Sequence, residues 1–284
     1  MAGYRGRLAP TPTGRLHVGH AATFWTAFQR ARAAGGELLM RIEDLDVRRC
    51  REEFVAGVIE DLTWLGVDWD GPLVRQRERR DAYLRAWRLL RDGGWIYPCR
   101  RSRREVGEAV TLAPHDDEPI FPIEWRGDCA ESRSFDRPDG VNWRFRVPDR
   151  ERMGFVDGRL GPIDRVAGED FGDFLVWNRD NVPAYELAVV VDDLAQGITE
   201  IVRGEDLLTS TARQILVARA LGGHLPSTFH TPLVRGWDGR RLAKRDGALE
   251  IRALREAGRA PEEVLKMAFS FSVSDEAGAE RNPK

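Results

Sequence analysis

The stretch Arg7-Leu8-Ala9-Pro10-Thr11-Pro12-Thr13-Gly14-Arg15-Leu16-His17-Val18-Gly19-His20 joins two patterns. Tyr4 to Ala9 reads as a short strand. Pro10, Pro12 and Gly14 break it, and helical apolar spacing follows through Phe24, Trp25 and Phe28. In an open parallel sheet, a strand-to-helix junction is where ligands bind. Main-chain N–H groups at a helix N-terminus favour phosphate. His17 and His20 stand three apart and so share a helix face, with Gly19 between them giving a ligand room to approach. By themselves these histidines also read as packed core residues, or as half of a zinc site with no third ligand nearby.

The same alternation continues outward. Leu38 to Ile42 is a second apolar run, ending in Glu43, Asp44 and Asp46. Phe54, Val58, Leu62 and Leu65 mark a helix, and Tyr83, Trp87 and Leu90 another. Short strands alternating with helices predict a parallel α/β sheet. From Cys99 to about Arg165 the pattern degrades, with Trp143 to Val147 alternating like an antiparallel strand, so this part reads as an inserted α+β subdomain. The α/β pattern resumes at Phe174 to Val176. Leu187 to Val191 looks like a strand buried on both faces. A strand-like run at Ile198 to Val202 and a helix from Ser210 or Thr211 through Leu221 follow, then a glycine-rich loop, short helices and a frayed end. The boundaries drawn are 1–98 and 174–236 for the two halves of the parallel-sheet domain, 99–173 for the insertion, and 237–284 for the loop and tail.

Composition narrows the function classes. Charged residues make up 32% of the 284, but 44 basic groups nearly cancel 46 acidic ones, which excludes a simple polybasic nucleic-acid binder. The apolar fraction of 42% supports a real core. No apolar run nears the roughly 20 residues of a membrane span, and no signal pattern opens the chain. Three distant cysteines point to a reducing cytoplasm. Only three lysines occur, Lys244, Lys266 and Lys284, so a lysine within a motif stands out.

One such motif is Arg240-Arg241-Leu242-Ala243-Lys244-Arg245-Asp246-Gly247; alone, a basic loop of this kind also reads as a solvated turn. Another is Tyr185-Glu186-Leu187-Ala188-Val189-Val190-Val191-Asp192-Asp193, continuing to Ile198-Thr199-Glu200-Ile201-Val202-Arg203-Gly204-Glu205-Asp206-Leu207-Leu208. Arg203 after a strand suits a two-pronged hold on a carboxylate. With the opening stretch and Arg41-Ile42-Glu43-Asp44-Leu45-Asp46, these form four ordered blocks that resemble class I aminoacyl-tRNA synthetases of the glutamyl type.

The resemblance implies a Rossmann-type parallel sheet with an inserted subdomain. It implies a ligase that activates L-glutamate with ATP, Mg2+ being part of the substrate complex. His17, Gly19, His20 and Lys244 would handle the nucleotide, with His17, His20 and Lys244 catalytic. Arg7, Ala9, Thr11, Glu43, Tyr185 and Arg203 would contact glutamate, Glu43 through its ammonium group. Asp44 and Asp46 read as scaffold, as do Asp192 and Asp193; the acids after the second strand also read as caps of the next helix. The family's more usual lysine at position 241 is arginine here.

Only 40 residues follow Lys244, too few for a helical anticodon-binding domain. On that expectation the chain is similar to the glutamyl-queuosine tRNA(Asp) synthetases, whose partner is queuosine-containing tRNA(Asp). The alternatives are a truncated glutamyl-tRNA synthetase charging tRNA(Glu) and a catalytically silent RNA-binding paralogue. A monomer is expected.

Relatives often carry a zinc knuckle in the insertion. Here Cys99 and Cys129 remain, but Arg101 stands at the second cysteine and Trp125 at the tyrosine. Two thiolates do not make a four-coordinate site, even if His115 is considered, so no zinc is expected. From Arg75 to Glu105, eleven arginines face four acids. This run reads either as a solvated helix face or as a phosphate track for tRNA, with Arg100, Arg101, Arg103 and Arg104 as the named contacts.

Overall fold

In the computed structural model, residues 3–101, 105, 120–234 and 249–270 are described. They fall into two compact units. The first holds the described residues up to Arg77, Thr199–Asp206, and those from Thr228 onward. The second holds Glu78–Ile198 and Leu207–Ser227.

In the first unit, β1 (Arg5–Leu8) and β2 (Glu37–Ile42) pair in parallel, from Arg5 opposite Glu37 to Leu8 opposite Met40. Strand β3 (Val74–Arg75) continues the parallel sheet beside β2. Parallel neighbours need crossover connections, and helices α1 (Val18–Ala33) and α2 (Glu52–Trp64) supply them. Strand β9 (Glu200–Gly204) runs beside β1 in the same direction. Thr199 N–H meets the Arg5 carbonyl at 2.8 Å, and further along Arg7 Nη1 donates to the Val202 carbonyl at 3.1 Å. Strand β10 (Ser227–Thr231) neighbours β9.

Leu8, Leu38, Met40 and Ile42 from the sheet meet Val18, Ala21, Ala22, Ala27 and Ala31 from α1 in the core. Small α1 residues let helix α7 (Pro261–Ser270) approach closely, burying Val264 and Ala268. Helix α6 (Ile251–Glu256) packs near α2.

The second unit is built on an antiparallel sheet of β4 (Ile96–Cys99), β5 (Asn142–Phe145) and β8 (Phe174–Trp177), in that order. A hairpin of β6 (Phe155–Asp157) and β7 (Gly161–Ile163) belongs here too. Phe174 to Val176 therefore does not resume the parallel sheet. Helices α3 (Arg80–Asp92), α4 (Tyr185–Gln196) and α5 (Leu208–Ala220) pack with this sheet, Trp87 meeting Trp143 edge-on with ring centroids 4.9 Å apart.

The run Leu187 to Val191, expected as a strand, is the middle of α4. The helix is buried on nearly every side, Glu186 to Val190, Asp192 and Asp193 included. Its apolar middle, Leu187 to Val191, mimics the continuous run of a buried strand. Gly197 ends it in the left-handed conformation, φ 64°. Asp192 is not a strand terminus; it accepts Arg79 Nε at 2.5 Å and the Tyr83 hydroxyl at 2.8 Å.

No helix among the described residues is long and apolar enough to cross a membrane.

Candidate active site

The opening motif forms a corner at the C-terminal edge of the parallel strands. Beyond β1 the Pro10 carbonyl accepts the Glu43 main-chain N–H at 3.0 Å, so the chains leaving β1 and β2 are tied together. The Thr11 hydroxyl donates to Glu43 Oε2 at 3.4 Å. Glu43 is buried, and the wholly buried Arg41 lies 3.4 Å from its other oxygen. The Cys50 thiol donates to the Glu43 carbonyl, and burial near Asp44 and Asp46 pushes that thiol's pKa up. Ala9 is half-buried, next to the wholly buried Leu8.

Neither Glu43, Asp44 nor Asp46 caps the next helix, whose N-cap is Arg51. Asp44 accepts the Arg77 main-chain N–H at 3.0 Å, and Asp46 accepts Arg49 Nε at 2.6 Å. Both are scaffold in this sense.

The two histidines do more than share a face. His17 is the N-cap of α1, not a helical residue; its Nδ1 accepts the Gly19 N–H at 3.2 Å. His20 Nδ1 in turn accepts the His17 N–H at 3.1 Å. This is a capping box built from imidazoles. A ring nitrogen that accepts carries no proton, so in both neutral rings the proton sits on Nε2. The rings lie 3.8 Å apart, and Phe24 stacks on His20. A Cβ on Gly19 would lie 3.0 Å from His17 Cε1, so the glycine makes room for the imidazole itself.

The described residues on either side of the Lys244 segment meet the same corner. Val234 Cβ lies 3.5 Å from where a Gly19 Cβ would stand. Glu250 forms a β-bridge with His17, and Ile251 N–H donates to the Leu16 carbonyl at 3.0 Å. Lys244 itself lies outside the described residues, as do Arg103, Arg104 and His115.

Arg203 lies within β9 rather than after it, and is buried beside His230 of β10. Arg203 Nε–H donates to His230 Nε2 at 3.2 Å, and the Thr231 hydroxyl donates to the Arg203 carbonyl at 3.2 Å. Thr231 also meets the hydroxyl of Thr23, one turn along α1 from His20, at 2.9 Å. His230, Thr231 and Thr23 were not marked by the sequence. The only signal was an unusual buried polar pair at the end of a strand, Phe229-His230-Thr231. Arg7, Thr11, His17, His20, Glu43 and Arg203 thus belong to one unit. Tyr185 belongs to the other, as the first residue of α4.

Several of the described arginines of the run are held by partners of their own. Arg75 and Arg77 hold Glu52 and Asp44, and Arg75 beside Glu52 holds that carboxyl down to about 2. Arg79 holds Asp192, and Arg91 donates to the Phe135 carbonyl. Arg100 and Arg101 are exposed, Arg101 lying 4.6 Å over the Trp125 ring.

The corner around Cys99 and Cys129 is packed with Tyr97, Phe121 and Trp125. Among the described residues no group of three or more His, Cys, Asp or Glu could hold a metal.

The family model for tRNA synthetases class I (E and Q), catalytic domain, matches residues 4–281. A Glutamyl-Q tRNA(Asp) synthetase of Symbiobacterium thermophilum is 44% identical over 273 residues, covering 92% of this chain and 84% of the relative. A Glutamate--tRNA ligase of Azorhizobium caulinodans is 38% identical, covering 90% of this chain and 54% of the relative. Among solved structures, a glutamate tRNA ligase from Elizabethkingia meningosepticum in complex with its amino acid superposes with a TM-score of 0.73 at 27% identity, covering 87% of this chain and 53% of that one. The chain belongs to the class I tRNA synthetases of the E and Q type and, within them, to the glutamyl-Q tRNA(Asp) synthetase family.

Proposed function

We propose that this protein condenses L-glutamate with ATP to glutamyl-adenylate, then esterifies the queuosine base in the anticodon loop of tRNA(Asp). One observation carries the reading. The relatives bearing that name match at higher identity, and over far more of their own length, than a glutamate–tRNA ligase does: 44% and 84% against 38% and 54%.

In the first step a carboxylate oxygen of glutamate attacks the α-phosphorus of ATP. The bond to the bridging oxygen breaks, and pyrophosphate leaves with Mg2+. No covalent enzyme intermediate forms, so catalysis is positioning and stabilisation of developing phosphate charge. The Nε2–H groups of His17 and His20 are the donors for the phosphates, beside the positive end of α1. The anchoring of Val234 and Glu250 at this corner supports Lys244 as the cation for the leaving pyrophosphate. Arg203 grips the side-chain carboxylate, helped by Arg7 and Tyr185. Glu43 takes the ammonium group, and Ala9 to Thr11 lines the amino acid. In the second step a cyclopentenediol hydroxyl of queuosine attacks the adenylate carbonyl, and AMP leaves.

Exposed Arg100 and Arg101 support a phosphate contact with the tRNA, together with Arg103 and Arg104. Three free cysteines support a reducing cytoplasm as the working compartment, and we read the enzyme as a monomer without zinc.

A charging assay with radiolabelled glutamate tests the reading, using tRNA from cells with and without queuosine. Label confined to queuosine-containing tRNA(Asp) is expected. Label on tRNA(Glu) would establish a glutamate–tRNA ligase instead. Absence of glutamate-dependent pyrophosphate exchange would leave an RNA-binding protein. Lys244→Ala should slow adenylation by about 10²-fold or more.

A further inference from the structure

We propose that His230 is a positioning residue for Arg203, a neutral acceptor that sets which edge of the guanidinium meets the substrate carboxylate. The inference rests on the reading of Arg203 as the glutamate ligand.

Two adjacent residues of β10 hold Arg203 at both levels. Thr231 donates to its carbonyl at 3.2 Å, and His230 Nε2 receives its Nε–H at 3.2 Å. Arg203 is 4% exposed and His230 wholly buried, so water does not compete for this bond. A guanidinium has five donors, no acceptor, and stays protonated. The imidazole must therefore offer a bare Nε2, which puts its proton on Nδ1. That is the opposite tautomer to His17 and His20, whose Nδ1 atoms are the acceptors.

This choice of partner has a chemical consequence. A carboxylate at position 230 would also accept the Nε–H, but it would neutralise the guanidinium that has to attract the substrate's carboxylate. Neutral imidazole orients Arg203 and leaves its charge intact. A guanidinium grips a carboxylate in two-pronged fashion along Nε and Nη, or along both Nη atoms. With Nε committed to His230, a two-pronged grip has to use Nη1 and Nη2. The ring also prevents the side chain from swinging about its last bonds, so the grip is met without reordering.

The test compares His230→Gln, His230→Asn and His230→Met by glutamate-dependent pyrophosphate exchange. A glutamine amide oxygen reaches the place of Nε2; an asparagine oxygen falls short, near Nδ1. Glutamine is expected to keep the glutamate KM within about threefold of wild type. Asparagine and methionine should raise it about tenfold or more, the loss expected for a bond to a charged group. The ATP KM should move less than about twofold, because the histidine corner is untouched. Imidazole 15N spectra of the wild-type enzyme should show Nδ1 protonated and Nε2 bare.

Equal glutamate KM values for the glutamine and asparagine variants would overturn the proposal, as would a protonated Nε2 or a parallel rise in the ATP KM. Arg203→Lys serves as the control. If it leaves the glutamate KM unchanged, the assignment of Arg203 itself fails; if it raises the KM while His230→Met does not, only the positioning role fails.

Discussion

The main-chain N–H of His17 donates to Nδ1 of His20, and their rings lie 3.8 Å apart. The pair is thus organised by the helix it caps. The structural duty and the proposed catalytic one separate by atom: Nδ1 serves the backbone, and Nε2–H is the proposed donor for phosphate.

Asparagine is a good N-cap but has no donor in the place of Nε2. His17→Asn should therefore keep thermal stability while lowering adenylation by about 10²-fold. His17→Ala should lose activity and about 1 kcal/mol of stability. Gly19→Ala should resemble His17→Asn in rate, since its methyl presses on the His17 ring. Melting curves beside pyrophosphate exchange check all three; wild-type exchange in His17→Asn would remove the donor role.

The second unit has an ionic centre at Asp173. Asp173 accepts the Tyr97 hydroxyl at 2.6 Å, Arg126 Nε at 3.0 Å and Nη2 at 2.9 Å, and the Val147 N–H at 3.0 Å. Burial and the Asp173 charge push the Tyr97 pKa up, keeping the hydroxyl a donor. Asp173→Asn should cost about 3 kcal/mol in urea unfolding. Protein purified without added zinc should contain almost none, and a chelator should leave its melting temperature unchanged. About one zinc per chain would contradict this.

Replacing Arg100, Arg101, Arg103 and Arg104 by serine should weaken tRNA binding and flatten its salt dependence, while glutamate activation stays intact. Filter binding at several salt concentrations measures the slope. Unchanged affinity would mean these arginines are a solvated surface.

Asp61 on α2 is 2% exposed and 4.0 Å from Arg255, and burial pushes its carboxyl up to about 6. The native state therefore binds this proton more tightly than the unfolded chain does. The penalty is absent below about pH 4, builds between about pH 4 and 6, and stays constant above that. Asp61→Asn should gain on the order of 2 kcal/mol at pH 8 and almost nothing at pH 4. Urea unfolding at both pH values tests this; an equal gain at both would exclude ionisation as the cause.

The parallel half was legible because its signals are local. The runs at Arg5–Leu8 and Glu37–Ile42 are strands, and the helical spacing after Gly14 is α1. Leu187 to Val191 was misread because period alone cannot tell a buried helix from a buried strand. Phe174 to Val176, expected to resume the parallel pattern, lies in a strand, but its antiparallel pairing with Asn142–Phe145 is fixed by sheet packing, not by its own residues.

By itself the sequence determined the order β1, α1, β2 and α2, the strand–loop–helix junction, and the four motif blocks that mark the family; it did not mark β3 or β10. The structure adds the local capping box that turns Nδ1 of His17 and His20 to the backbone, and only the tertiary structure decided that Arg203 is held by His230. The physical reason is range. Apolar periodicity is written into neighbouring residues, whereas the bond from Arg203 to His230 spans 27 positions and exists only because β9 and β10 lie side by side.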